Sequence, residues 1–163
     1  MTPLSYTQIG SPVGPLLLAS DERGLHEIRF VNGRRPGAPE PGWTPNAASF
    51  AEAIRQLQEY FSGNRQEFDL PLALEGTDFQ LRVWRCLQTI PYGQTFSYLQ
   101  LAEKIGNPKA VRAVGLANGA NPIPIIIPCH RVIGSNGSLT GFGGGLPNKQ
   151  KLLALESRQL PLL

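Results

Sequence analysis

Apolar and polar positions alternate through the first thirty or so residues and then change period. Residues 4–9 read as a short strand, 10–14 as a Gly- and Pro-rich turn, and 15–20 as an apolar run. Residues 21–24 turn again, and 25–31 alternate as a further strand. Period-two segments between turn signals predict a β-meander. Residues 32–45, rich in Gly and Pro and carrying Arg34-Arg35, are expected to form a surface loop. Phe50, Ile54, Leu57 and Phe61 recur at spacings of three and four, which predicts a helix over 46–62 stopped by Gly63. Residues 68–74 alternate once more, as a strand does.

Glu75-Gly76 marks the expected boundary between a unit spanning 1–76 and one spanning 77–163. Thr77 followed by Gln80 is a capping box, opening a helix that turns Phe79, Val83, Trp84 and Leu87 inward. Pro91-Tyr92-Gly93 closes that stretch, and Ser97 caps a short helix that runs to Lys104 and stops at Gly106. Asn107 is expected to cap the next helix, with Pro108 in its first turn where a missing N–H does no harm. Two short helices around a tight turn resemble a helix-turn-helix. Residues 118–128 contain Pro122, Pro124 and Pro128, so they cannot be helical and make a poor central strand. A hairpin is predicted over 131–142 around Asn136-Gly137, then a glycine loop at 141–145 and a last helix over 147–158. No internal repeat is visible. The fold class is α/β in the α+β sense: a small, mostly antiparallel sheet with a helix, then a mainly helical unit.

Charge sharpens the division. Residues 1–78 hold six arginines against ten carboxylates, whereas 79–163 hold nine basic residues against only Glu103 and Glu156. A basic half beside an acidic half points to one polyanion-binding module. No apolar run approaches the roughly 18–20 residues of a membrane span. The start lacks a signal-peptide pattern, so a cytosolic location is expected. Two cysteines, Cys86 and Cys129, are too few for a disulfide framework or a cysteine-based zinc site, and neither metal nor cofactor is expected.

Cys129 is flanked by Pro128, His130 and Arg131. A nearby cation or base lowers a thiol pKa, and the thiolate is the reactive form, so the Cys129 sulfur is expected to be poised as an anion. In extended backbone, neighbours point to opposite faces, so contact between Cys129 and His130 needs a turn or a bridging water. Glu156 shares a helix face with Leu152, Leu153 and Leu160. A carboxylate there needs a partner, either His130 or an arginine. Lys109, Arg112 and Gly115 share one side of the helix expected from Asn107, where a glycine lets a nucleic-acid groove or another helix approach. Cys86 reads as a packed small residue and His26 as a surface or hydrogen-bonded histidine. These residues leave open a helix-turn-helix regulator with an incidental cysteine. They also leave open a cysteine hydrolase using Cys129, His130 and Glu156.

The string Ile125-Ile126-Ile127-Pro128-Cys129-His130-Arg131-Val132-Ile133-Gly134, preceded by Asn121-Pro122, resembles the acceptor motif of the O6-alkylguanine-DNA alkyltransferases. The match continues through Phe79 to Trp84, Ile90 to Gly93, Ser97-Tyr98, Gly106 to Ala110 and Arg112 to Gly115. Downstream it includes Gly141-Phe142, Gly144-Gly145, Lys149, Leu152-Leu153 and Glu156. It covers roughly residues 77–157; the N-terminal half resembles the family only loosely.

The resemblance implies a ribonuclease H-like first domain and a winged-helix-like second. It implies a suicidal repair protein that transfers the alkyl group of O6-alkylguanine, and less readily of O4-alkylthymine, from double-stranded DNA to Cys129. Glu156 and His130 are implied to link through a water to the sulfur, and Asn121 to brace the active-site turn. Tyr98 is implied to donate to the damaged base, and Arg112 to fill the stack once that base is flipped out. Ala110, Val111, Ala113 and Gly115 are implied to face the minor groove, and Lys109 to take part in binding the DNA. Val132, Phe142 and Gly143, with main-chain groups near Cys129, are implied to hold the base, and the protein is expected to be a monomer.

Many relatives have Tyr at the place of Phe142 and some have Ser at that of Gly143, so side-chain polar contacts to the base are in question there. The N-terminal zinc ligands of some relatives are not seen, and no phosphotriester-repair domain is expected. Relatives that bind alkylated bases without repairing them replace the acceptor cysteine, which Cys129 argues against.

Overall fold

The computed structural model describes residues 3–33, 37–139 and 141–158; Arg34-Arg35 and Leu160 lie outside them. Three strands form the expected meander: β1 (Ser5–Ile9), β2 (Leu16–Asp21) and β3 (Gly24–Phe30). β1 pairs antiparallel with β2, and β2 with β3, with a bulge at Ala19/Ser20. The presumed surface loop contributes one more strand, β4 (Thr44–Pro45), parallel to β1, giving the order β3-β2-β1-β4.

The helix predicted over 46–62 begins as a 3₁₀ turn (Ala47–Phe50) and continues as α1 (Ala51–Phe61). Its buried face is rotated from the one read off the sequence: Ile54 is half-buried, while Gln56 and Tyr60 point inward. The strand expected at 68–74 does not form. That segment touches β3 through a single bridge at Leu25 and Leu72. Pro71 has no N–H to donate, and the amide of Gln56 takes over the rest. Gln56 Nε2 donates to Asp69 O (3.0 Å), and Asp69 N–H donates to Gln56 Oε1 (2.9 Å). Gly24 is required at this crossing: its φ is +140°, and a Cβ would sit 2.4 Å from Pro71 O.

The second half begins with α2 (Asp78–Leu87), capped by both hydrogen bonds of the predicted Thr77–Gln80 box. A two-residue strand β5 (Phe96–Ser97) leads into α3 (Tyr98–Lys104), which Ser97 and Gln100 cap in the same reciprocal way. α4 (Val111–Gly119) starts three residues later than the helix expected with Asn107 as its cap. Residues 107–110 instead close a turn, with Ala110 N–H on Asn107 O (3.0 Å). Pro108 holds the second position of that turn, where its fixed φ is favoured.

The hairpin over 131–142 is reduced to its turn. Gly134 N–H reaches Ser138 O (2.8 Å) and Gly137 N–H reaches Gly134 O (2.8 Å), but no returning strand follows; Thr140 lies outside the described residues. β6 (Val132–Ile133) pairs parallel with β5 instead, and Lys149 Nζ occupies the Val132 carbonyl at 2.7 Å. α5 (Leu146–Arg158) closes the chain much as predicted.

The buried apolar residues of both halves form one continuous cluster, from Leu16 and Phe50 to Leu152 and Leu155. Polar bonds also cross between them: Ile28 N–H donates to Pro122 O (2.9 Å) and Asn148 Nδ2 to Val13 O (3.0 Å). Among the described residues no helix is long and apolar enough to cross a membrane.

Candidate active site and nucleic-acid face

The segment before Cys129 is wound, not extended. Asn121 braces it with both ends of its amide: Nδ2 donates to Ile127 O (2.8 Å), and Oδ1 accepts from Ile123 N–H (3.0 Å). Ile127 N–H returns to Ile123 O (2.9 Å), and Cys129 N–H to Ile127 O (2.7 Å). Ile125 is driven to φ +75°. For a β-branched residue that conformation costs on the order of 1–3 kcal/mol and persists only where the surroundings impose it. Cys129–Arg131 then forms a 3₁₀ turn. Cys129 and His130 thus sit on one wound turn, but neither ring nitrogen bonds the sulfur: Nε2 faces Glu156 and Nδ1 has no partner among the described residues.

His130 is fully buried and places Nε2 at 2.7 Å from Glu156 Oε2. Arg131 grips the same carboxylate, Nε on Oε1 (2.7 Å) and Nη2 on Oε2 (3.0 Å), while its Nη1 donates to Ile90 O (2.7 Å). Tyr60, from α1, donates its hydroxyl to Glu156 Oε2 at 2.5 Å. Both partners considered for Glu156, histidine and arginine, are therefore present, and a tyrosine joins them.

Burial works to raise the Glu156 carboxyl pKa, but the His130 and Arg131 contacts outweigh it and hold it at about 2. Burial pushes His130 below its ordinary value even with Glu156 pulling the other way, so the imidazole is neutral. The anion fixes the proton on Nε2, which leaves Nδ1 as an acceptor. Nδ1 is buried with no hydrogen-bond partner in the protein.

Burial pushes the Cys129 thiol up to about 11; Asn121 and the Lys149 cation pull it back only in part. This corrects the expectation of a thiolate at rest: at neutral pH the sulfur carries its proton. His130 and Glu156 are not among the groups that lower it.

The sulfur is not sealed in the core. Cys129, 6% exposed, lines a cavity of about 590 Å³ together with Tyr98, Gly115, Asn121, Phe142 and Gly143. That volume falls within the roughly 300–1,000 Å³ of small-molecule sites. Val132 is fully buried behind the Cys129–Arg131 turn and does not line it. Phe142 packs edge-to-face on Phe30, with ring centroids 5.4 Å apart. One wall was not foreseen: β3 supplies Glu27, Ile28, Arg29 and Phe30. Their alternation identified a strand, but only its contact with Pro122 brings it to the cavity.

α4 borders the same opening. Val114 and Ala117 are buried, and Ala117 O accepts from Trp84 Nε1 (2.9 Å). Arg112, Ala113 and Leu116 are exposed, with Leu116 at 74%; Val111 and Gly115 are half-buried. A methyl on Gly115 would meet only the Tyr98 ring at 3.8 Å, so packing does not demand a glycine there. Lys109 is exposed and Ala110 half-buried, both on the turn ahead of the helix. Tyr60, Lys149 and Asn118 escaped the sequence as site residues. Asn118 lines the cavity and directs Nδ2 at Cys129 O (3.5 Å). His26 bonds Asp21 at 2.9 Å, and Cys86 is half-buried and free, as expected of each.

Comparison with known proteins follows the two halves. Residues 4–74 match the profile of the 6-O-methylguanine DNA methyltransferase, ribonuclease-like domain, and 78–158 that of its DNA binding domain. The methylated-DNA–protein-cysteine methyltransferase of Mycolicibacterium paratuberculosis is 54% identical over 97% of this chain and 95% of its own. That of Methanosarcina acetivorans is 54% identical over 93% and 97%. The crystal structure of Mycobacterium tuberculosis OGT in complex with DNA superposes with a TM-score of 0.91 at 52% identity, covering 96% of this chain and 95% of that one.

Proposed function

The chain belongs to the methylated-DNA–protein-cysteine methyltransferases, and from that premise we propose that Cys129 is the residue that takes the alkyl group from damaged DNA. The observation that carries this is the opening of the Cys129 cavity beside the outer face of α4.

The target carbon is hidden in the duplex, so the nucleotide must be swung out at a cost of about a few kcal/mol. Arg112 fills the gap in the stack. Ala110, Val111, Ala113 and Gly115 let α4 lie close in the minor groove, and Lys109 contacts the phosphates. The extruded O6-alkylguanine enters between Tyr98, Phe142 and Gly143.

The buried thiol gives its proton through a water to Nδ1 of His130, which Glu156 orients and, once charged, stabilises. Sγ then attacks the alkyl carbon. A carbon–sulfur bond forms, the carbon–O6 bond breaks, and its electron pair goes to guanine. The Tyr98 hydroxyl stabilises that charge and helps reprotonate the base. The thioether has no route back, so each molecule acts once. O6-alkylguanine is preferred to O4-alkylthymine, and the protein works as a cytoplasmic monomer built of units 1–76 and 77–163. Phe142 contributes packing alone, and Gly143 contributes its backbone N–H. No step requires a cofactor.

The deciding experiment is peptide mass analysis after incubation with a duplex carrying O6-methylguanine. The peptide with Cys129 should gain one CH₂ unit, and Cys129→Ala should retain DNA binding with no transfer. Transfer by that variant would refute the assignment.

A further inference from the structure

The carboxylate that orients His130 is itself held from the other half of the chain. We infer that Tyr60 is a positioning residue of the transfer reaction: its hydroxyl, 2.5 Å from Glu156 Oε2, fixes the carboxylate that orients His130, so the proton relay spans both halves of the molecule. This rests on the reading of His130 as the acceptor of the thiol proton.

The Tyr60 ring has no exposure and is clamped by Phe61, Phe68 and Tyr92, with centroids 5.5, 5.3 and 6.3 Å away. Its hydroxyl therefore has little choice of direction, and a buried tyrosine hydroxyl needs a partner. Among the described residues, Glu156 Oε2 accepts from Tyr60 (2.5 Å), His130 (2.7 Å) and Arg131 (3.0 Å), while Oε1 accepts from Arg131 alone (2.7 Å). Tyr60 and His130 thus draw on the same oxygen. The more of its charge the hydroxyl takes, the less remains to favour a protonated imidazole.

The groups facing this relay come from every side. α5 gives Glu156 and Lys149, the acceptor turn gives Cys129 and Arg131, and α1 gives Tyr60. The turn after α2 adds Tyr92, over which Arg131 stacks at 5.7 Å. Removing the Tyr60 hydroxyl leaves all the others in place. Oε2 then offers more charge to His130, imidazolium is favoured, and imidazolium cannot accept the thiol proton.

The test is the single-turnover rate of transfer from an O6-methylguanine duplex to the full chain, followed across pH. Tyr60→Phe should move the acidic limb of the profile up by about half to one pH unit, slowing transfer about three- to tenfold on that limb and little at neutral pH. DNA affinity should not change. A fluorinated tyrosine at position 60, a stronger donor that keeps the ring, should move the limb down. Leu57→Ala, a core change on the same helix outside the ring clamp, should lower the melting temperature and leave the limb where it is. An unmoved limb in both position-60 variants overturns the inference. Glu156→Gln separates the two levels: if it too leaves the limb unmoved, the relay reading fails. If it moves the limb while the position-60 variants do not, only the part given to Tyr60 fails.

Discussion

Glu156 receives four hydrogen bonds from the described residues in a buried setting, whereas Arg112, Ala113 and Leu116 stand in solvent on the outer face of α4. Both regions border one cavity, yet their side chains are restrained in opposite ways. The carboxylate and its partners are locked by each other and by residues from both halves. The helix face is fixed only through its buried side, by Val114 and by the Trp84 bond to Ala117. Reaction needs a geometry that does not wander, while docking needs an uncovered surface. Stability and binding should therefore respond separately to changes in the two regions.

Glu156→Ala should have the largest effect. It strands Arg131 and His130 in a buried site, and breaking such a pair costs about 3–5 kcal/mol. Chemical denaturation would read the loss, and transfer should fall with it. A cost no larger than that of a surface change would erase the contrast. Acid probes the same region without mutation. A carboxyl held at about 2 instead of 4.5 stabilises the fold fully above pH 4.5 and loses that contribution as pH falls toward 2. His130, depressed from 6.5, adds an earlier decline below that pH, because the unfolded chain binds a proton that the buried ring resists. Denaturation midpoints across acid pH should show both phases in the wild type, and Glu156→Ala should shrink the lower one.

The other side of the comparison predicts smaller, purely functional losses. Arg112→Ala should leave the unfolding free energy within about 0.5 kcal/mol. It should slow repair in duplex DNA about ten- to a hundredfold while affecting transfer from a free alkylated base little. Equal losses on both substrates would count against a stack-filling arginine. Lys109→Ala should do least, weakening binding evenly across sequences and lowering the salt slope of affinity by about one.

The exposed region was far more legible in the sequence than the buried one. Capping boxes at Thr77–Gln80 and Ser97–Gln100 are local, so the sequence alone fixes those helix starts. The run around Cys129 is equally local. Arg112 could be placed from helix periodicity although the helix begins at Val111, because Asn107-Pro108 is as good a turn as it is a cap. What escaped depends on distance along the chain. Tyr60 lies 96 residues from the carboxylate it bonds, and nothing near it distinguishes a tyrosine with a partner from any other core aromatic. Residues 68–74 alternate as a strand should, but a proline and the Gln56 side chain take the place of its ladder. β6 found its neighbour in β5, a two-residue pairing no periodicity announces. The resting state of Cys129 was misjudged for a related reason: adjacent basic residues suggest a thiolate, but burial, a property of the whole fold, decides.

The indole of Trp84, 2% exposed and bonded to the last-turn carbonyl at Ala117, is also a built-in optical reporter. The only other tryptophan, Trp43, stacks under Arg29 at the sheet edge, 4.8 Å from the guanidinium. With Trp43→Phe removing that second emitter, the colour and intensity of the remaining fluorescence would follow the seating of α4 as DNA arrives, with no dye attached.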